Sequence, residues 1–99
     1  AQDKDKNTAL HLACLNENEI IVKDLVEHDA NVNEKNNYGY TPLHYSCKNG
    51  NKNIENNKSI VEYLIENGGD VNILDNEKNT PLHIACKNNN ETIVKYLVD

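Results

Sequence analysis

The sequence contains no tryptophan, phenylalanine, methionine or arginine, and only 2 prolines, 4 glycines and 3 cysteines in 99 residues. Each shortage narrows the field. No apolar run approaches the roughly 18 residues of a membrane-spanning helix, and no signal peptide leads the chain. With arginine absent, all 10 basic residues are lysines, set against 16 Asp plus Glu for a net charge of −6. That balance argues against a nucleic-acid partner, which would want a basic stripe. Three cysteines cannot pair off completely. With no secretory context they suit a reduced, intracellular protein, cytoplasmic or nuclear.

Asparagine fills much of the space left, in runs such as NN and NNN. Together with frequent Lys and Ile, it reads as the codon bias of an A/T-rich genome and carries no functional weight. Two glycosylation sequons, Asn57-Lys58-Ser59 and Asn90-Glu91-Thr92, are expected by chance in so Asn-rich a chain. The first residue is Ala1, which fits an excised fragment or processed product.

The informative signal is repetition. TALHLAC (Thr8 to Cys14), TPLHYSC (Thr41 to Cys47) and TPLHIAC (Thr80 to Cys86) are spaced by 33 and then 39 residues, the second interval being 33 plus an insertion of 6. A second apolar cluster follows each: Ile21, Val22, Leu25, Val26; Ile60, Val61, Leu64, Ile65; and Ile93, Val94, Leu97, Val98. That spacing is one face of a short helix. Thr41 and Thr80 are placed to cap a helix, Pro42 and Pro81 to occupy its first turn, and Gly68 to end the second helix. Turn-like text, DANVNEKNNYGYT and GGDVNILDNEKNT, separates the pairs.

On the period of 33, the TPLHxA core, the IV-x-x-L[IV] second helix and the G-x-D-V-N that follows, the sequence resembles the ankyrin-repeat family over nearly its whole length. The resemblance implies an all-α fold, an ankyrin-repeat solenoid of helix–turn–helix units joined by β-hairpin-like fingers. The chain divides into one domain, residues 1–99: repeat 1 over about 3–35, repeat 2 over about 36–74 and a truncated repeat 3 over about 75–99. Its ends fall inside repeats, as expected of a slice from a longer array. The insertion, near 52–57, is expected to be a solvated loop, with Ile54 as the one residue able to anchor a secondary contact. The family's finger glycine is kept at Gly39 but is Lys6 and Lys78 in the other copies, and the glycine ending the first helix is Gly50, Asn89 or Glu17. Asn tolerates left-handed backbone, whereas Glu and Lys reach it at a cost of roughly 1 kcal/mol each.

The triplicated His-x-x-Cys first suggests metal or an activated thiol. A zinc site needs three or four ligands within ~2.3 Å of one ion, and copies stacked ~10 Å apart cannot pool theirs. A catalytic thiol needs an exposed, electropositive setting, whereas Cys14, Cys47 and Cys86 fall on the family's small buried position. The expectation is structural: histidine ties finger to helix, and cysteine packs as a small hydrophobe. His28, outside the motif, is placed to reach the last carbonyls of a helix.

With no catalytic constellation, cofactor or metal site in view, function falls to the surface. The resemblance places partner contacts on the fingers and the exposed edge of the first helices, lining a concave groove. Those positions are Leu15 in repeat 1; Asn37, Tyr38, Tyr40, Lys48 and Asn49 in repeat 2; and Leu74, Glu77, Asn79 and Lys87 in repeat 3. Tyr38 and Tyr40, two apart on one finger, face the same side and are the expected anchors. The leading expectation is a non-catalytic protein–protein interaction module with another protein as partner, and neither nucleic acid, membrane nor metal. The alternatives are a regulatory or targeting segment of a larger enzyme, such as a kinase or acyltransferase, and a structural spacer. Weak self-association through the exposed solenoid ends is also expected.

Overall fold

Three threonines start the first helix of each unit. In a computed structural model of the chain, which describes residues 4–48 and 54–98, Thr8, Thr41 and Thr80 each accept a hydrogen bond from the backbone N–H of the histidine three residues on, at 3.3 Å. The histidine returns the bond: its Nδ1 accepts from the threonine N–H at 3.0–3.1 Å. This reciprocal cap satisfies two helix-end donors at once, and Pro42 and Pro81 need none.

Among the described residues there are six helices and no strand: α1 (Ala9–Leu15), α2 (Glu19–Glu27), α3 (Pro42–Lys48), α4 (Ile54–Glu66), α5 (Pro81–Lys87) and α6 (Glu91–Val98). Each pairs with its successor in a repeat; α1, α3 and α5 stack as one layer and α2, α4 and α6 as another. The fold is the all-α solenoid expected. The helix ends turn through left-handed backbone at Glu17 (φ 55°), Asp29 (70°), Gly68 (98°) and Asn89 (55°). At Gly68 the turn closes with Gly69 N–H donating to Leu64 O at 2.7 Å, a Schellman-type stop.

The core runs the length of the stack: Leu10, Cys14 and Val22, then Leu43, Cys47, Ile60, Val61 and Leu64, then Ile84, Ala85 and Ile93. The middle unit is covered on both sides, so six of the seven α3 residues are buried. The outer units are covered on one. Ile21 and Val98, read as part of the apolar stripes, are consequently 43% and 62% exposed. The same geometry corrects the expectation for Cys86. Cys14 and Cys47 are fully buried beneath the following repeat, whereas Cys86 is exposed because no described residue covers that side.

The insertion also departs from expectation. Residues 54–57 are helical, giving α4 an extra turn and a length of 13 residues. Asn57, expected in a solvated loop, is 1% exposed. Its Nδ2 donates to Ser46 O at 2.6 Å and its Oδ1 accepts from Asn90 Nδ2 at 3.1 Å, so two repeats hold it in place. Residues 49–53, which include the expected contact residue Asn49, lie outside the described residues, as do Asp3, Asp99 and the Ile54 side chain.

Candidate functional site

The fingers are turns closed by two backbone bonds each: Asn36 N–H to Tyr40 O and Gly39 N–H to Asn36 O, both at 3.0 Å, and Asp75 N–H to Asn79 O and Lys78 N–H to Asp75 O, both at 2.9 Å. Their tips use left-handed backbone at Lys6 (61°), Gly39 (77°) and Lys78 (65°), so all three copies keep one shape although two lack glycine. At Gly39 the glycine has a second reason. A Cβ there would lie 2.7 Å from the Asn76 backbone nitrogen on the next finger. Neighbouring fingers are stitched together by Asn37 N–H to Asp5 O and Asn76 N–H to Tyr38 O, both at 2.9 Å.

The histidines join these fingers to the helices. His11 Nε2 donates to Tyr40 O at 2.8 Å and His44 Nε2 to Asn79 O at 3.0 Å, so each histidine holds the finger of the next repeat. A carbonyl only accepts, so the proton of His44 is on Nε2 and Nδ1 is the acceptor that faces Thr41. Both ring nitrogens are spent. Burial pushes the His44 pKa below the usual 6.5, with nearby Lys35 adding to the effect, against the Asn79 carbonyl and Asp75, which pull it up. Burial also pushes the Cys14 and Cys47 thiols up to about 12, where no thiolate forms at neutral pH. The His-x-x-Cys repeat is thus a latch and a packing residue. Among the described residues, no group of three His, Cys, Asp or Glu side chains is placed to hold a metal ion.

The expected contact residues separate into three sets. Tyr38, Tyr40 and Lys48 come together. The two tyrosine rings lie 6.0 Å apart; Tyr40 stacks on His44 at 5.7 Å, and the Lys48 ammonium sits 5.7 Å from the Tyr40 ring centre. Tyr38 remains 51% exposed, its hydroxyl 3.4 Å from Asp5 Oδ1. The Asn37 and Asn79 side chains are committed to bonds along the fingers: Asn37 Nδ2 donates to Lys4 O at 3.2 Å, and Asn79 Nδ2 to Asp75 Oδ2 at 3.3 Å. Leu15, Leu74, Glu77 and Lys87 are exposed, Leu15 and Leu74 by 40% and 45%.

Tyr45 is the residue that motif reading passed over. It occupies the variable position of TPLHYSC, met by Leu12 and Ile84 in the other copies. Its ring meets Tyr40 edge-on at 5.2 Å, and its hydroxyl accepts from Asn36 Nδ2 at 2.8 Å and donates to Asn7 at 3.3 Å. An aromatic at a position otherwise aliphatic was the available signal.

The sequence model of the family described as "Ankyrin repeats (3 copies)" matches residues 1–54 and 54–99. The chain belongs to the ankyrin-repeat family. Two curated relatives are similar over shorter stretches. Putative ankyrin repeat protein FPV031 of fowlpox virus (strain NVSL) is 60% identical over 38 residues, 38% of this chain. Tyrosine-protein kinase Shark of Drosophila melanogaster is 42% identical over 48 residues, 48% of this chain. The matched stretches cover only 11% and 5% of those two proteins. Ankyrin repeats are in general protein–protein interaction modules, and among the described residues no helix is long and apolar enough to cross a membrane.

Proposed function

We propose that this ankyrin unit is a non-catalytic binding module that takes a partner protein on its finger and first-helix side, around Tyr38. The observation that carries the reading is a rigid aromatic platform with one exposed member. Tyr40 and Tyr45 are fixed by His44, Asn36 and each other, while Tyr38 stands half in solvent beside them. A large side chain already ordered by its neighbours loses little entropy on binding, which is what an interface anchor requires.

The packing also selects the test. Tyr40 supports α3, so its removal would disturb the fold, whereas Tyr38 can be truncated at little cost. Peptides selected on the intact chain from a random display library are titrated by fluorescence anisotropy against the wild type and Tyr38→Ala. The expected loss is on the order of tenfold or more, with an unchanged melting temperature. Selected peptides that bind the variant undiminished contradict the location.

A second reading, a targeting segment of a larger enzyme, draws support from the likeness to a protein named as a tyrosine kinase. A reading frame that encodes a catalytic domain beside these repeats would favour it.

A further inference from the structure

The net charge of −6 hides a division between the two sides of the stack. Fingers and first helices, residues 4–16, 35–48 and 74–88, carry six lysines against three carboxylates, Asp5, Asp75 and Glu77. The second helices and the turns beside them, residues 17–34, 54–73 and 89–98, carry three lysines against eleven carboxylates. The three finger-side carboxylates are not equally available. Burial pushes the Asp75 carboxyl up, but N–H bonds from Asn79 and Glu77 outweigh it and hold the group below the usual 3.8. Asp75 is 5% exposed, with Oδ1 accepting from both backbones at 2.8 Å, and Asp5 receives the Tyr38 hydroxyl. Glu77 is the carboxylate left facing solvent.

The lysines are differently placed. Lys4, Lys6, Lys35, Lys48, Lys78 and Lys87 are all exposed, and none forms an ion pair among the described residues. Lys48 and Lys87 occupy equivalent last-turn positions on α3 and α5, next to each other in the first-helix layer. Lys48 overhangs the Tyr40 ring, and Lys35 approaches His44 closely enough to oppose its protonation. Lys48 thus lies against the aromatic platform, and the other exposed lysines of the fingers and first helices share its side of the stack, away from the acidic layer.

We infer that the partner segment taken on the finger and first-helix side is acidic, a Glu- or Asp-rich extended peptide whose carboxylates meet Lys35, Lys48 and Lys87 while an apolar side chain lies on Tyr38. The inference rests on the binding reading above and specifies its chemistry. Complementary potential sets approach rate and partner choice more than total affinity, so charge sign is the property to test.

The probes are three fluorescein-labelled twelve-residue peptides with leucine at every third position and Glu, Ser or Lys at the others, plus a twelve-nucleotide oligothymidylate. Each is titrated against the full chain, with backbone NMR shifts locating the contact. The Glu peptide is expected to bind tightest, to shift finger and first-helix amides, and to weaken with added salt. Changing Lys35, Lys48 and Lys87 together to Gln is expected to weaken it about tenfold. The Lys peptide is expected to shift only the second helices. If the Ser or Lys peptide occupies the finger side as tightly and depends on Tyr38, the acidic partner is wrong and the binding side stands. If the Glu peptide binds but neither the lysine changes nor Tyr38→Ala affects it, both readings fall. Failure of the Glu peptide to bind at millimolar concentration, or tighter binding of the oligonucleotide, overturns the acidic-peptide assignment.

Discussion

His44 can work as a latch only while neutral, because a proton on Nδ1 would point at the Thr41 N–H that this nitrogen accepts. Its depressed pKa therefore ties stability to pH. Folding favours the neutral ring, so the contribution is complete above the usual 6.5 and is lost as pH falls through the lower folded value. His28 runs the other way. Its pKa is raised, chiefly by the bond to the Asp24 carbonyl and then by the Asp24 carboxylate, so its small, exposed contribution is present below 6.5 and fades as pH rises through the folded value. The buried residue should dominate. Thermal melts are expected to show a lower Tm at pH 5 than at pH 7, and histidine NMR titration should place His44 below 6.5 and His28 above it. A His44 midpoint at or above that of His28 contradicts the assignment. The tie between finger and helix was legible in the sequence, from three copies of Thr-x-x-His. The commitment of Asn37 and Asn79 was not, because an amide on a turn reads alike whether it faces water or staples a neighbouring finger. Nor was the exposure of Cys86, which depends on what covers the third repeat and not on the motif around it.

Helix α4 shows how far spacing carries at the level of an element, and where it stops. Repeat period, apolar stripe and Gly68 together gave the helix, its buried face and its end. They did not give its first turn, since Ile54–Asn57 holds two asparagines, poor helix formers, within a polar stretch. Tertiary contacts override that preference. Asn57 sits one repeat on from Asn18, the cap of α2, and one before Asn90, to which it is bonded. Replacing Asn57 with Ala would leave Ser46 O and the Asn90 amide short of partners inside the protein, at a cost of ~1–3 kcal/mol. Asn67→Ala, which removes an exposed bond to Tyr63 O in the same helix, should cost less than ~0.5 kcal/mol. Urea denaturation of both variants checks this; equal losses would mean that Asn57 is no structural link.

Across the whole molecule the three equivalent cysteines differ only in their cover. Cys14 and Cys47 are sealed, with thiols pushed up to about 12, and Cys86 is open. A disulfide reagent at pH 7.5 is expected to titrate one thiol per native chain at once and three in denaturant. The slow remainder should follow the opening of the stack and slow further under stabilising conditions. Rapid reaction of two or three thiols in the native protein would show that the repeats do not pack as described. A different consequence follows from the histidine bonds, which always run from one repeat to the finger of the next: His11 to Tyr40, His44 to Asn79. The catch uses a backbone carbonyl, which every residue owns, so it places no demand on the identity of what it holds. A duplicated unit would arrive with its own catch and be held by the copy before it. Gene duplication could lengthen such a chain without inventing a new joint, leaving the finger side chains free to drift towards different partners.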